Sequence, residues 1–153
     1  LQLDGSPVSS SRIRRLVAEG EVAEAGKLLG CPHRIRGEVV PGDARGRTIG
    51  FPTANLQTPA ELTPARGVYA VKARCADGAW HHGVANLGTR PTFDGKGFLI
   101  EVHLLGYSGD LYGKTLEVDF IKRLRGELSF EDADQLVAQI QSDIAVAEQV
   151  LSE

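Results

Sequence analysis

The sequence predicts a mainly β domain, an antiparallel barrel or sandwich, with one long helix at its C-terminal end. Three observations carry that expectation. From His33 onward, short runs rich in Val, Ile, Leu or aromatics recur between Gly, Pro and Asp. No helix-length segment separates consecutive runs, which argues against parallel βαβ units. The final stretch changes period, with apolar residues every three or four positions, as an amphipathic helix requires.

Taken in order, residues 1–8 read as a linker. Ser9 to Glu19 opens on cap-type serines and turns helical, with Gly20 as its stop. Val22 to Leu29 reads as a second short helix that ends at Gly30. Then Ile35, Gly37 and Val39 alternate with Arg36, Glu38 and Val40, and further strands are expected over Gly67 to Cys75, Trp80 to Leu87, Phe98 to Leu105 and Thr115 to Leu124. Full closure of such strands would remove exposed edges. Pro59 to Pro64 reads as a plain connection. In the last helix Ser129 is the expected cap, and Glu131, Asp132 and Asp134 suit the positive N-terminus. Leu136, Ile140, Ile144, Ala147 and Leu151 form its apolar stripe, expected to pack on the outside of the barrel.

Composition excludes several classes. The 153 residues suffice for one domain with a real core, and 42% hydrophobic with 24% charged residues is ordinary for a globular protein. A net charge of −3 and 6% aromatics argue against a nucleic-acid-binding barrel, which wants a basic face with exposed aromatics, and against an anionic membrane surface. Cys31 and Cys75 are too few for a disulfide framework or a zinc site, and no long apolar run is present. A cytoplasmic protein with reduced thiols is expected.

The most informative stretch is Gly42 to Leu56, Gly-Asp-Ala-Arg-Gly-Arg-Thr-Ile-Gly-Phe-Pro-Thr-Ala-Asn-Leu. Its glycines allow close approach of backbone N–H groups to a phosphate, and Arg45 and Arg47 can add charge-assisted hydrogen bonds. If the Pro52 run is extended, Thr53 and Asn55 point the same way and offer neutral hard oxygens to a Mg²⁺ that also binds polyphosphate. The alternative is a surface loop rich in turn residues. The stretch is not a P-loop, since Gly42 and Gly46 are too close, Arg replaces Lys, and Pro52 forbids the following helix. On the strand Phe98 to Leu105, Glu101 and His103 share one face, and Phe98, Ile100, Val102 and Leu104 share the other. Glu101 reads either as a solvent-facing or Arg-paired carboxylate, or as a functional one.

Gly46-Arg-Thr-Ile-Gly-Phe-Pro-Thr-Ala-Asn55, followed by Gly88-Thr-Arg-Pro-Thr-Phe93 and Glu101-Val-His-Leu-Leu105, resembles the riboflavin kinase family in order and spacing. The resemblance runs from about Pro32 to Leu151. It implies a six-stranded antiparallel Greek-key barrel with a C-terminal helix, preceded by a short helical segment. Ser9-Ser-Ser-Arg-Ile-Arg14 resembles the closing motif of the adenylyltransferase module in bifunctional bacterial riboflavin kinase/FAD synthetases. The implied division is residues 1–30 as linker and tail of that module, and 31–153 as the kinase domain. The implied activity is ATP- and Mg²⁺-dependent phosphorylation of riboflavin to FMN, with riboflavin, FMN, ATP and ADP as ligands. By resemblance Glu101 is the general base and Thr53 and Asn55 hold the metal. Gly42, Gly46, Arg47, Thr48, Leu104, Gly106 and Tyr112 lie toward ATP, and Arg125, Leu128 and Phe130 toward the flavin. A barrel that binds flavin or nucleotide without turnover is the alternative, and Glu101 discriminates, since pure binding needs no base.

The family's His-x-Gly-His nucleotide motif is not found; His81-His82-Gly83 has another order. These 153 residues are therefore expected to stop at FMN. Separating the products of riboflavin, ATP and Mg²⁺ checks this; an FAD peak growing with time would reveal an adenylyl-transfer site within the chain.

Overall fold

The structure, a computed structural model, describes residues 2–3, 6–7, 10–40, 53–58, 63–75, 78–89, 98–106, 111 and 113–152. Gln2–Leu3 (β1) and Ser6–Pro7 (β2) pair as a minimal antiparallel hairpin in what reads from the sequence as a linker. Two helices follow, Ser10–Ala18 (α1) and Val22–Leu29 (α2), the second capped by Gly30 at φ 86°. The barrel strands are His33–Val40 (β3), Ala54–Gln57 (β4), Gly67–Cys75 (β5), His81–Thr89 (β6), Phe98–Leu104 (β7) and Thr115–Arg125 (β8). A helix over Ala133–Leu151 (α3) follows the last strand.

The six strands close in the order β3-β4-β7-β6-β5-β8, every pair antiparallel. β5, β6 and β7 form a meander and β8 returns beside β5, which is the Greek-key order. The expected barrel is therefore the observed one. Five of its strands match the hydrophobic runs to within two residues, and the sixth, β4, lies in the Thr-Ala-Asn stretch.

Alternation decides what faces inward. Ile35, Val39, Leu56, Tyr69, Val71, Leu87, Ile100, Val102, Leu116, Val118 and Phe120 fill the interior, each at most 7% exposed. Tyr69 and Phe120 meet edge to face at 5.4 Å between ring centroids. Burial pushes the Tyr69 phenol above its ordinary range, with Arg123 opposing it. The seam where β8 returns to β3 is held by Arg34, whose Nε donates to Asp119 Oδ1 at 2.7 Å and whose Nη2 donates to Oδ2 at 3.2 Å. That charge-assisted pair raises the Arg34 guanidinium above its usual value. The helical pair belongs to the same body, since Val22 of α2 lies in the barrel core.

On the outside, Ala147 and Leu151 of α3 pack on Ala70, Val84, Ile121 and Leu124, as the apolar stripe predicts. The cap differs from expectation. Asp132, with extended backbone, accepts the Gln135 N–H at 2.9 Å, and Gln135 Oε1 accepts the Glu131 N–H at 3.1 Å. Asp132 has a Gln three positions on, the spacing of a capping box; Ser129 has an Asp there.

The helix is tied to the barrel by a buried ion pair. Arg125 donates to both carboxylate oxygens of Asp143, Nε at 3.0 Å and Nη2 at 2.8 Å, and Gln139 adds a third donor at 3.0 Å. Asp143 is 6% exposed. Asp143→Ala should cost about 2–3 kcal/mol, because it leaves a partly buried guanidinium unpaired. Chemical denaturation measures the loss, and a double-mutant cycle with Arg125→Ala should recover about half of it or more.

Candidate functional site

The site is built on the outer face of three neighbouring strands. β7 lies between β4 and β6, and its Glu101 stands opposite Asn55 on one side and Asn86 on the other. Inward-facing Ile100 and Val102 flank Glu101, so alternation turns its carboxylate outward. Directly opposed residues have Cβ atoms about 4.5–5.5 Å apart. Three polar side chains therefore form one row, Asn55–Glu101–Asn86, running across the strands.

The three differ in burial. Glu101 is half-buried and Asn86 exposed, but Asn55 is only 4% exposed although it points away from the core. Its Oδ1 is buried with no hydrogen-bond partner, the one such side-chain atom among the described residues. A buried carbonyl oxygen without a donor costs about 1–3 kcal/mol. A divalent cation seated against it would remove that cost, because a neutral hard oxygen is a suitable ligand. Thr53, half-buried, precedes β4 by one residue and falls in phase with Asn55. The donor set thus fits the metal expected from the sequence.

Two glycines shape the margins. Gly106 ends the turn after β7 with φ +71°, a conformation that suits glycine. Gly88 lies on β6 two positions beyond Asn86, on the same face, and the Glu127 carboxylate occupies the space a Cβ would need, 2.5 Å from its ideal position. The segment between β8 and α3 therefore reaches across to β6 beside the polar row.

The remaining expected site residues divide. Leu104 is buried in the barrel interior. Leu128 is 54% exposed and Phe130 half-buried in the segment after β8. Arg125 spends Nε and Nη2 on Asp143, and its Nη1 donates to the Gly126 carbonyl at 2.9 Å. Gly42, Gly46, Arg47, Thr48 and Tyr112 lie outside the described residues. Sequence reasoning missed Asn86, Glu127 and Asp143. Asn86 had a signal, since Asn is depleted in strands and this one interrupts an apolar run from Val84 to Leu87. The other two are ordinary acidic residues until the fold gives them neighbours.

A family model described as Flavokinase: Riboflavin kinase matches residues 29–151. A Haemophilus influenzae protein named bifunctional riboflavin kinase/FMN adenylyltransferase is 45% identical over 145 residues, covering 95% of this chain and 47% of that protein. The Escherichia coli K12 protein of the same name is 45% identical, covering 91% of this chain and 44% of its own length. The chain thus spans about half the length of the curated relatives it matches. Among solved structures, a Streptococcus pneumoniae protein titled macrolide-efflux protein superposes with a TM-score of 0.92 at 41% identity, over 97% of this chain and 49% of that one. A Trypanosoma brucei riboflavin kinase superposes with a TM-score of 0.58 at 21% identity, over 78% of this chain and 80% of that one, a likeness of fold. Among the described residues no helix is long and apolar enough to cross a membrane.

The orphaned oxygen gives a stability test that needs no ligand. Asn55→Leu should raise the stability of the metal-free protein by about 1 kcal/mol, since an apolar group of similar size replaces an unsatisfied one. Denaturant melts with a chelator present read this directly. A clear loss of stability would mean that the carbonyl has a partner in solution.

Proposed function

The chain belongs to the riboflavin kinase family, and from that membership we propose that it transfers the γ-phosphate of ATP to the terminal ribityl hydroxyl of riboflavin, giving FMN and ADP. The observation that carries the reading is the pairing of Asn55 with Glu101 across β4 and β7. It sets an unsatisfied hard oxygen beside a half-buried carboxylate, which supports reading the two as metal ligand and base.

Glu101 accepts the hydroxyl proton as that oxygen attacks the γ-phosphorus. A new O–P bond forms while the bond from the γ-phosphorus to the ADP oxygen breaks, and the electron pair leaves with ADP. Thr53 and Asn55 would hold Mg²⁺, which when bound neutralises phosphate charge. Most of the acceleration in such transfers comes from positioning and charge stabilisation, so a base fixed mid-strand suits the reaction.

The other assignments follow the same reading. Gly42, Gly46, Arg47 and Thr48 would bind the phosphates, with Arg47 countering developing charge. Leu104, Gly106 and Tyr112 would contact the nucleotide, with Leu104, a core residue, contributing its backbone and the end of its strand. Arg125, Leu128 and Phe130 lie on the flavin side, with Arg125 ordering the segment through Asp143. The kinase unit is residues 31–153, and its setting is the cytoplasm.

Glu101→Gln keeps size and removes the base. Turnover of riboflavin with saturating ATP and Mg²⁺ should fall about a hundredfold or more. Riboflavin affinity, followed by flavin fluorescence, should change little. Near-parental turnover would reduce Glu101 to a structural carboxylate, and a parent protein that binds riboflavin but leaves ATP intact would make the barrel a binding module.

A further inference from the structure

Asn86 has no role in the mechanism above, yet it completes the polar row on the side of Glu101 away from Asn55. It lies mid-strand on β6, fixed by pairing on both sides, with Val68 of β5 opposite it and Glu101 of β7 opposite it. Along its own face of β6, Val84 is covered by α3 and Gly88 by Glu127, while Asn86 itself is exposed between them. The gap left open between two covered positions thus presents a carboxamide, in a strand where Asn is disfavoured.

The order of the row matters. The unsatisfied oxygen of Asn55 marks the metal and phosphate side. Glu101 marks the nucleophile. Neighbouring strands are about 4.8 Å apart, so whatever continues the acceptor molecule beyond its reacting hydroxyl, away from the phosphate, passes over Asn86 before it reaches the segment after β8. A carboxamide carries two N–H donors and an acceptor oxygen, and a secondary hydroxyl is both donor and acceptor. An apolar chain would gain nothing from it.

Resting on the kinase reading, we propose that Asn86 is a specificity residue that binds secondary hydroxyls of the acceptor's polyol chain. It selects an acceptor that is hydroxylated next to its reacting end, and holds that end in line with Glu101. Sites built to bond a hydroxyl reject analogues that lack it more strongly than apolar pockets reject added groups.

The test compares riboflavin with a hydroxypentyl flavin, which keeps the ring and the terminal hydroxyl but lacks the secondary ones. Affinity is read by flavin fluorescence and turnover by phosphorylated flavin, with thermal melts confirming that each variant is folded. The parent should prefer riboflavin. In Asn86→Ala, riboflavin affinity and kcat/KM should fall about tenfold, those for the hydroxypentyl flavin should stay within about twofold, and KM for ATP should not move. Asn86→Ser, a shorter donor and acceptor, should recover part of the preference. Equal losses for both flavins, or a parent that does not distinguish them, overturn the proposal. A parent that prefers riboflavin in binding, and loses that preference in Asn86→Ala, supports the assignment even if no phosphate is transferred, in which case only the kinase reading fails. A parent that binds neither flavin overturns both.

Discussion

Closure of the six-stranded ladder is the constraint on which the rest depends. With β8 paired to both β5 and β3, none of the six strands is left at an edge, so the registers are mutually fixed. A one-residue slip of β7 would turn both Ile100 and Val102 to the outside and carry Glu101 into a core of aliphatic and aromatic side chains. The described interior positions are apolar, and the polar row lies on the outer face. There the register sets Glu101 between Asn55 and Asn86, three residues far apart in sequence. On the side of the barrel away from that row, the β3–β8 seam is closed by backbone pairing, with the Arg34–Asp119 pair beside it.

The row carries an energetic cost that structure alone does not repay. Asn55 Oδ1 is buried without a donor, while Asp143, another buried polar side chain, receives three. The contrast separates two uses of polarity. Asp143 and Arg125 anchor α3 and the start of the segment that crosses to Gly88. Asn55 is held in a state that a positively charged ligand would improve. A cost of that size is small beside the large buried apolar core.

Much of this was legible in the sequence. The period-2 runs located five strands, and the helical stripe of Leu136, Ile140, Ile144, Ala147 and Leu151 foretold a helix on the barrel wall. An extended run at Pro52 already puts Thr53 and Asn55 on one face. β4 itself was harder, because Ala-Asn-Leu-Gln alternates over only four residues, too short a run to stand out from the surrounding Gly- and Pro-rich stretch. The number of strands and their order came from family resemblance, since single-chain patterns do not encode which strands meet. For the same reason Asn86 escaped notice, since its significance lies in being opposite Glu101, a relation between residues in different strands. The cap of α3 was misplaced because Ser129 and Asp132 are both good cap residues, and the Gln at the third position after Asp132 decides between them.

Phosphoryl transfer asks less of a protein's covalent chemistry than of its geometry. A closed barrel answers that demand in its strand centres, where backbone pairing on both sides leaves a side chain little freedom beyond its own rotamers. It does not answer the demand for exclusion of water, since its outer face is open by construction. Here the covering comes from elements outside the ladder. α3 lies over Val84, and the segment after β8 brings the Glu127 carboxylate against Gly88. The rigid and the covering parts meet at Asn86. On the proposed reading, the ladder would set where the proton and the phosphate go, and Asn86, at its junction with the covering elements, would select the acceptor.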